Sequence, residues 1–243
     1  MKNYVSPIAI AIAIIAGVLL LANAYKYKYK ATETITVTGL AEKDFISDQI
    51  VWTGNYSRKT MDLKSAYSQL KEDESKIRNY LKGKGVTDAE MVFSAVSIDK
   101  EFSSRYDENG RITGSEFTGY NLKQDVTVES KDIEKVEKIS REITELIESG
   151  IEFNSSSPSY YYTKLSELKI DLLAKASADA KQRAETIAKN SGSRLGNIKK
   201  ATMGVFQITG QNSNEDYSYG GAFNTSSKNK TASITIRIDY AVK

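Results

Sequence analysis

The side chains able to do chemistry here are tyrosines, carboxylates and methionines, because the 243-residue chain contains neither histidine nor cysteine. Without cysteine there is no disulfide, thiolate nucleophile or zinc–thiolate site. Without imidazole there is no Ser-His-Asp or Cys-His device and no imidazole-bound metal. Glu72, Asp73 and Glu74 cluster three carboxylates, but Lys71 and Lys76 flank them, which is the pattern of a solvated helix face. Asp107-Glu108-Asn109-Gly110 has the flavour of a calcium loop. An EF-hand, however, needs ligands at positions 1, 3 and 5, glycine at 6 and glutamate at 12; the glycine here is fourth, so the segment reads as a hairpin turn. Met61, Met91 and Met203 could be oxidised to sulfoxides, although scattered methionines ordinarily fill cores. The glycines at 192 and 196 follow a helical segment, whereas phosphate-cradling loops precede one. No catalytic residue, cofactor site or metal site is expected, and the protein is read as not an enzyme.

Tyrosines are the best candidates for recognition, since each pairs an apolar ring with a hydroxyl. Tyr160, Tyr161 and Tyr162 form a run that reads either as an interaction surface or as an edge strand with alternate rings in the core. Tyr217 and Tyr219 lie in residues 210–228 (GQNSNEDYSYGGAFNTSSK), a polar stretch with the composition of a mobile loop. Loops of that length are usually functional or disordered.

These residues must be positioned by strands and helices whose periods are legible. Residues 33–39 (ETITVTG) alternate as a half-buried strand, and 45–57 follow as a second, with Ile50, Trp52 and Tyr56 on one parity. The pair reads as a hairpin, or as a strand with a bulge at Gly54. From Asp62 the period becomes 3.6, with Leu63, Ala66, Tyr67, Leu70, Ile77 and Leu81 on one stripe, closed by Gly83 or Gly85. Strand patterns at 91–102 and 117–128 flank the Asn109-Gly110 turn. A second helix carries Ile133, Val136, Ile139, Ile143, Leu146 and Ile147 and closes at Gly150. A short strand at 151–162 precedes a third helix, 164–190, lined by the small residues Ala174, Ser177, Ala180, Ala184 and Ala188, an intersubunit seam or, more simply, a face packed on its own sheet. Strands at 197–209 and 231–242 end the chain.

Residues 8–24 run without a charge, close to the ~20 apolar residues a bilayer crossing needs. Either residues 5–24 are an uncleaved anchor into the inner membrane, with the Tyr–Lys alternation of 25–30 as its interfacial belt, or Ala22-Asn23-Ala24 is a cleavage site and the mature protein is released to the periplasm. Of 34 basic residues four lie in the first thirty, leaving 30 against 31 acidic ones. A domain so near neutrality lacks the basic footprint of a nucleic-acid binder. The organisation expected is a segment 1–30 and a domain 31–243, with a further division into 31–129 and 130–243 compatible with the pattern.

The pieces ITVTGLAEKDFISDQIVW (35–52), Ser-Gly-Ile (149–151), KASADAKQRAETIAKNSGSRLGNIKKATMGVFQI (175–208) and IRIDYAV (236–242) resemble, in order, the SIMPL-domain family, which includes periplasmic immunogenic proteins and oxidative-stress defence proteins of Gram-negative bacteria. The most specific element is the alanine-rich helix followed by Ser-Gly-Ser-Arg-Leu-Gly. The resemblance implies an α+β fold of antiparallel sheets with the three amphipathic helices packed on one face, export to the periplasm, and in some members assembly into homo-oligomeric rings. It implies no catalytic residues. The functional expectation is a self-assembling envelope scaffold contributing to envelope or oxidative-stress tolerance, with an envelope protein as a further partner. The alternative is a monomeric module binding a small ligand or peptide near Tyr160 to Tyr162 and the 210–228 loop.

Overall fold

The structure, a computed structural model, describes residues 5–30 and 33–243, and within the first helix the side chains of residues 10–26. Helix α1 (Val5–Lys30) is apolar all round rather than along one stripe, and Ile10, Ile14, Leu19 and Leu21 are all exposed, so it is not a core helix. Among the described residues no helix is long and apolar enough to cross a membrane. The transmembrane reading of residues 5–24 therefore gains no support from the described residues. The belt expected at 25–30 lies largely outside the described side chains.

From residue 33 onward the fold is α+β and its strand ladders are antiparallel, in two sheets. The first contains β1 (Thr34–Ile46), β10 (Asn229–Val242), β8 (Leu195–Met203) and β9 (Gln207–Gly210), with β1 on one side of β10 and β8 and β9 on the other. Helix α4 (Leu165–Asn190) packs on one face of it. The second sheet is centred on β2 (Gln49–Thr60) and β5 (Ile112–Ser130). Strands β3 (Met91–Phe93) and β4 (Ser97–Tyr106) pair with β5, and β6 (Phe153–Ser155) and β7 (Ser159–Tyr161) pair with β2. Helices α2 (Leu63–Gly83) and α3 (Ile133–Glu142), the latter continued by a 3-10 turn (Ile143–Ser149), cover its core face.

The helices expected from periodicity are therefore present, four among the described residues with α1, but the three amphipathic ones do not share one face: α4 packs on the first sheet, and α2 and α3 on the second. β1 and β2 do not form a hairpin. Ile46 ends one sheet and Gln49 begins the other, and β1 finds its partner about 200 residues away, Val37 facing Ile238. The second sheet is built from residues 49–161, which are inserted between β1 and the rest of the first sheet. No bulge occurs at Gly54, which pairs in register with Val126. A Cβ there would lie 2.2 Å from the Phe153 ring. Glycine lets that ring lie between Trp52 and Tyr56, at centroid separations of 5.8 and 6.4 Å, within the usual range for favourable aromatic pairs.

The Asn109-Gly110 turn closes β4 onto β5 as expected. Asp107 Oδ1 accepts the amides of Asn109 and Arg111, each at 2.9 Å, and no calcium geometry is needed to explain it. Two register shifts, between Glu101 and Phe102 and between Arg105 and Tyr106, place the extra residues on β5 and leave β4 regular. Each shift turns the parity of β5 once, so Phe117 and Ile112 come to the same face as Leu122. The apolar face of the second sheet therefore runs on along the β4–β5 ribbon beyond the cover of α2. Ile98, Phe102, Tyr106 and Ile112 are more than half exposed there, and Phe117 packs edge-on against Phe102 and Tyr120.

Candidate functional site

The outer face of the first sheet, opposite α4, carries the odd-numbered residues of β10 and the even-numbered ones of β1. Over part of it folds the loop 211–228, and between them lies an open cleft of about 410 Å³. Leu40, Val205, Tyr217 and Tyr219 supply its apolar lining, and Gln207, Ser218, Ser233 and Thr235 its polar groups. Such a lining of aromatic and aliphatic walls with a few fixed polar atoms is what small-molecule sites use. The lining offers hydroxyls and one amide, with no carboxylate, amine or imidazole. These groups offer ring stacking and hydrogen bonding.

The loop above the cleft has a disordered composition but a dense set of polar restraints. Buried Gln207 holds its middle: the side-chain oxygen accepts the amides of Ser218 (3.3 Å) and Ala222 (2.6 Å), and the side-chain nitrogen donates to the Ser218 carbonyl (2.8 Å). Glu215 accepts the Gly210 amide at 3.0 Å and also takes a bond from the Asn224 amide group. The main chain adds Ile208 N–H to Ala222 O and Asn224 N–H to Ile208 O. At the base of the loop the Lys230 ammonium, 2% exposed, donates to the carbonyls of Tyr160 and Asn224, both at 2.6 Å. Burial pulls its pKa down to about 8, against a smaller opposing effect of Glu215. Because Tyr160 belongs to β7, this amine also ties the two sheets together.

The expected tyrosines divide between two places. Tyr217 and Tyr219 line the cleft, both largely exposed, and the Tyr217 hydroxyl lies 3.5 Å from Glu42. Tyr160 donates its hydroxyl to Glu137 at 2.9 Å, and burial together with that carboxylate raises its pKa to about 12. Tyr162 packs on Phe45 at 4.8 Å, and Tyr161 is partly exposed. The tyrosine strand meets the loop through main chain, Tyr160 N–H bonding Thr225 O at 2.7 Å.

Three other expectations need correction. Asp73 is not on a solvated face: it is 2% exposed and makes a two-point ion pair with Arg58, whose Nη2 bonds both Asp73 Oδ1 and the Gly150 carbonyl at 2.8 Å. Its place on the stripe Ala66, Leu70, Asp73, Ile77, Leu81 was the available signal. The small-residue seam is Ala176, Ala180, Ala184 and Ala188, continuing Leu168 and Leu172, and it packs on β1 and β10; Ala174 and Ser177 are outside it. Among the described methionines Met91 is core, while Met61 and Met203 are exposed. Lys230 and Gln207 were missed, although extending the alternation of Ile234, Ile236 and Ile238 backward puts Lys230 on the inward parity. Among the described residues no group of three acidic side chains is placed to hold a metal ion.

With the fold and cleft defined, the comparison with known families is direct: the family described as SIMPL, protein of unknown function (DUF541), matches residues 35–241. The chain belongs to the SIMPL family. A search of curated proteins finds no match. The SIMPL match begins at the second residue of β1 and ends at the penultimate residue of β10, so the β1–β10 ladder that closes the first sheet marks the limits of the family domain.

Proposed function

We propose that this SIMPL protein is a non-catalytic component of the cell envelope, tethered by residues 5–24 with residues 31–243 on the periplasmic side, and that it acts as a self-assembling scaffold contributing to envelope or oxidative-stress tolerance. The observation that carries assembly is the β4–β5 ribbon. Its apolar residues share one face, and Ile98, Phe102, Tyr106 and Ile112 are 53–66% exposed. Isolated two-stranded ribbons are marginal in water, and contiguous exposed apolar surface is characteristic of protein interfaces. A second copy covering that face accounts for both. The tether rests on the uncharged run of residues 8–24 in the sequence. The exposed thioethers of Met61 and Met203 are compatible with oxidant exposure.

Sedimentation of the full chain in mild detergent, over a hundredfold concentration range, tests the reading. A defined multimer that falls to a monomer in Phe102→Ser/Ile112→Ser, with unchanged circular dichroism, supports it; a wild-type monomer at all concentrations rules out self-assembly. The second reading, a monomer that binds a small apolar ligand or peptide, is favoured by the cleft beneath Tyr217 and Tyr219. It predicts saturable quenching of tyrosine emission by a small aromatic compound, reduced at least tenfold by Tyr217→Ala/Tyr219→Ala.

A further inference from the structure

β1 is the open edge of the first sheet, and its unpaired side faces α4 across a groove of about 750 Å³. One edge donor is already satisfied internally: the Leu40 N–H bonds Asp179 Oδ2 at 2.9 Å, not β10. In an antiparallel ladder the N–H and C=O of a residue point to the same side, and the side alternates along the strand. Thr36 and Thr38 share the parity of Leu40, so their N–H and C=O groups point into the groove, where they are available to an incoming strand. The facing wall carries Arg183 and Ile187. Arg183 is 56% exposed and spends Nε on Asp179 at 2.9 Å; its Nη groups have no protein partner among the described residues. Ile187 is 45% exposed.

The spacing on the two walls matches one kind of occupant. Residues four apart on a helix are separated by about 6 Å along its axis, and side chains two apart on a strand by about 6.6 Å. A strand added to β1 would therefore present alternate side chains opposite Ile187 and Arg183. We infer that this groove binds an extended segment of a partner polypeptide by adding it as a strand to β1, reading an aliphatic residue against Ile187 and an acidic residue two positions away against Arg183. Main-chain bonds to Thr36 and Thr38 provide affinity and the two helix side chains provide selection, the division of labour usual in strand addition. The site uses neither the β4–β5 ribbon nor the loop-covered cleft, so it stands or falls separately from self-assembly.

The test uses the full chain and a labelled heptapeptide, acetyl-Thr-Val-Thr-Glu-Thr-Val-Thr-amide, which presents glutamate flanked by valines in either strand direction. Fluorescence anisotropy is expected to show saturable binding. Binding should weaken at least tenfold when alternate peptide amides are N-methylated, and likewise in Thr38→Pro. Proline at that edge position removes a groove-facing donor while leaving the β10 ladder intact. Arg183→Glu, an exposed change that leaves the fold in place, should reverse the preference toward the same peptide carrying lysine for glutamate. Absence of saturable binding overturns the inference, as does binding that Arg183→Glu and N-methylation leave unchanged. Loss of binding in Tyr217→Ala with retention in Arg183→Glu would assign the peptide to the cleft and overturn it equally.

Discussion

Replacing Gly39 by alanine probes why the alanine helix can sit where it does. A Cβ on Gly39 would lie 2.1 Å from the carbonyl oxygen of Ala176, 2.6 Å from the amide nitrogen of Ala180 and 2.8 Å from its Cβ. Ordinary contact begins near 3.4 Å, and two of the obstructing atoms belong to helix backbone, so no rotamer change relieves the clash. The helix must back away from β1 by more than 1 Å, opening the contacts of Ala176, Ala180 and Ala184 with Val37, Ala41, Ile236 and Ile238. A gap of 0.5–1 Å already forfeits a quarter to a half of each dispersion contact. Overpacked cores lose roughly 1–3 kcal/mol, and a rigid obstruction places this change near the top of that range, about 3 kcal/mol. Urea unfolding of the full chain followed by circular dichroism should show a midpoint lower by about 1 M, given a slope of roughly 2–3 kcal/mol per molar for a domain of this size. Trp52, the sole tryptophan, sits in the core of the other sheet, and its emission reports whether that sheet unfolds with the first. Gly83→Ala is the matched control: it ends α2 with open space around it, so alanine should be neutral or stabilise by about 0.5 kcal/mol. A Gly39→Ala midpoint indistinguishable from wild type would refute the close-approach argument.

Lys230 predicts an unusual pH dependence. Its folded pKa, about 8, lies below the ordinary value of 10.5, so the fold disfavours the ammonium. Between pH 8 and 10 the folded amine releases its proton while the unfolded one keeps it, and stability rises with pH by about 2 kcal/mol; urea midpoints at pH 7.5 and 9.5 should show the rise, and Lys230→Met should abolish it. Asp73→Asn strips Arg58 of its counter-charge. Because the Arg58 side chain is 30% exposed, the loss should fall below that of a fully buried pair, about 2–3 kcal/mol, seen as a lower calorimetric Tm, with Glu72→Gln silent. Gln207→Ala removes three hydrogen bonds from the loop; chymotrypsin should then cut after Tyr217 and Tyr219 at least tenfold faster, with little change in Tm.

What was legible from residues alone followed from local interactions. The Ala66–Leu70–Ile77–Leu81 stripe, the Asn109-Gly110 turn and the alternation ending at Tyr240 each report a period or a dihedral preference set within a few residues. These were enough to define the helices, the β4–β5 hairpin and the terminal strand. The cleft was half visible, through Tyr217 and Tyr219, because an aromatic pair in a polar stretch stands out by composition. Gln207 and Lys230, which make that stretch a structured cover, did not stand out, since a polar residue on an inward parity acquires meaning only once its carbonyl and amide partners are known.

The partition into two sheets belonged to tertiary structure alone. Ile46 and Gln49 are three residues apart yet end in different sheets, because β1 buries Val37 and Ala41 under α4 only by pairing with β10, and β2 buries Trp52 and Tyr56 under α2 only by pairing with β5. Sequence decided which residues prefer a strand, a helix or a turn, and that no histidine or cysteine chemistry exists here. Long-range burial decided which strands meet, that Asp73 and Lys230 lie inside, and that β1 keeps one edge open beside Arg183, since pairing energies arise between segments that the local chain cannot relate.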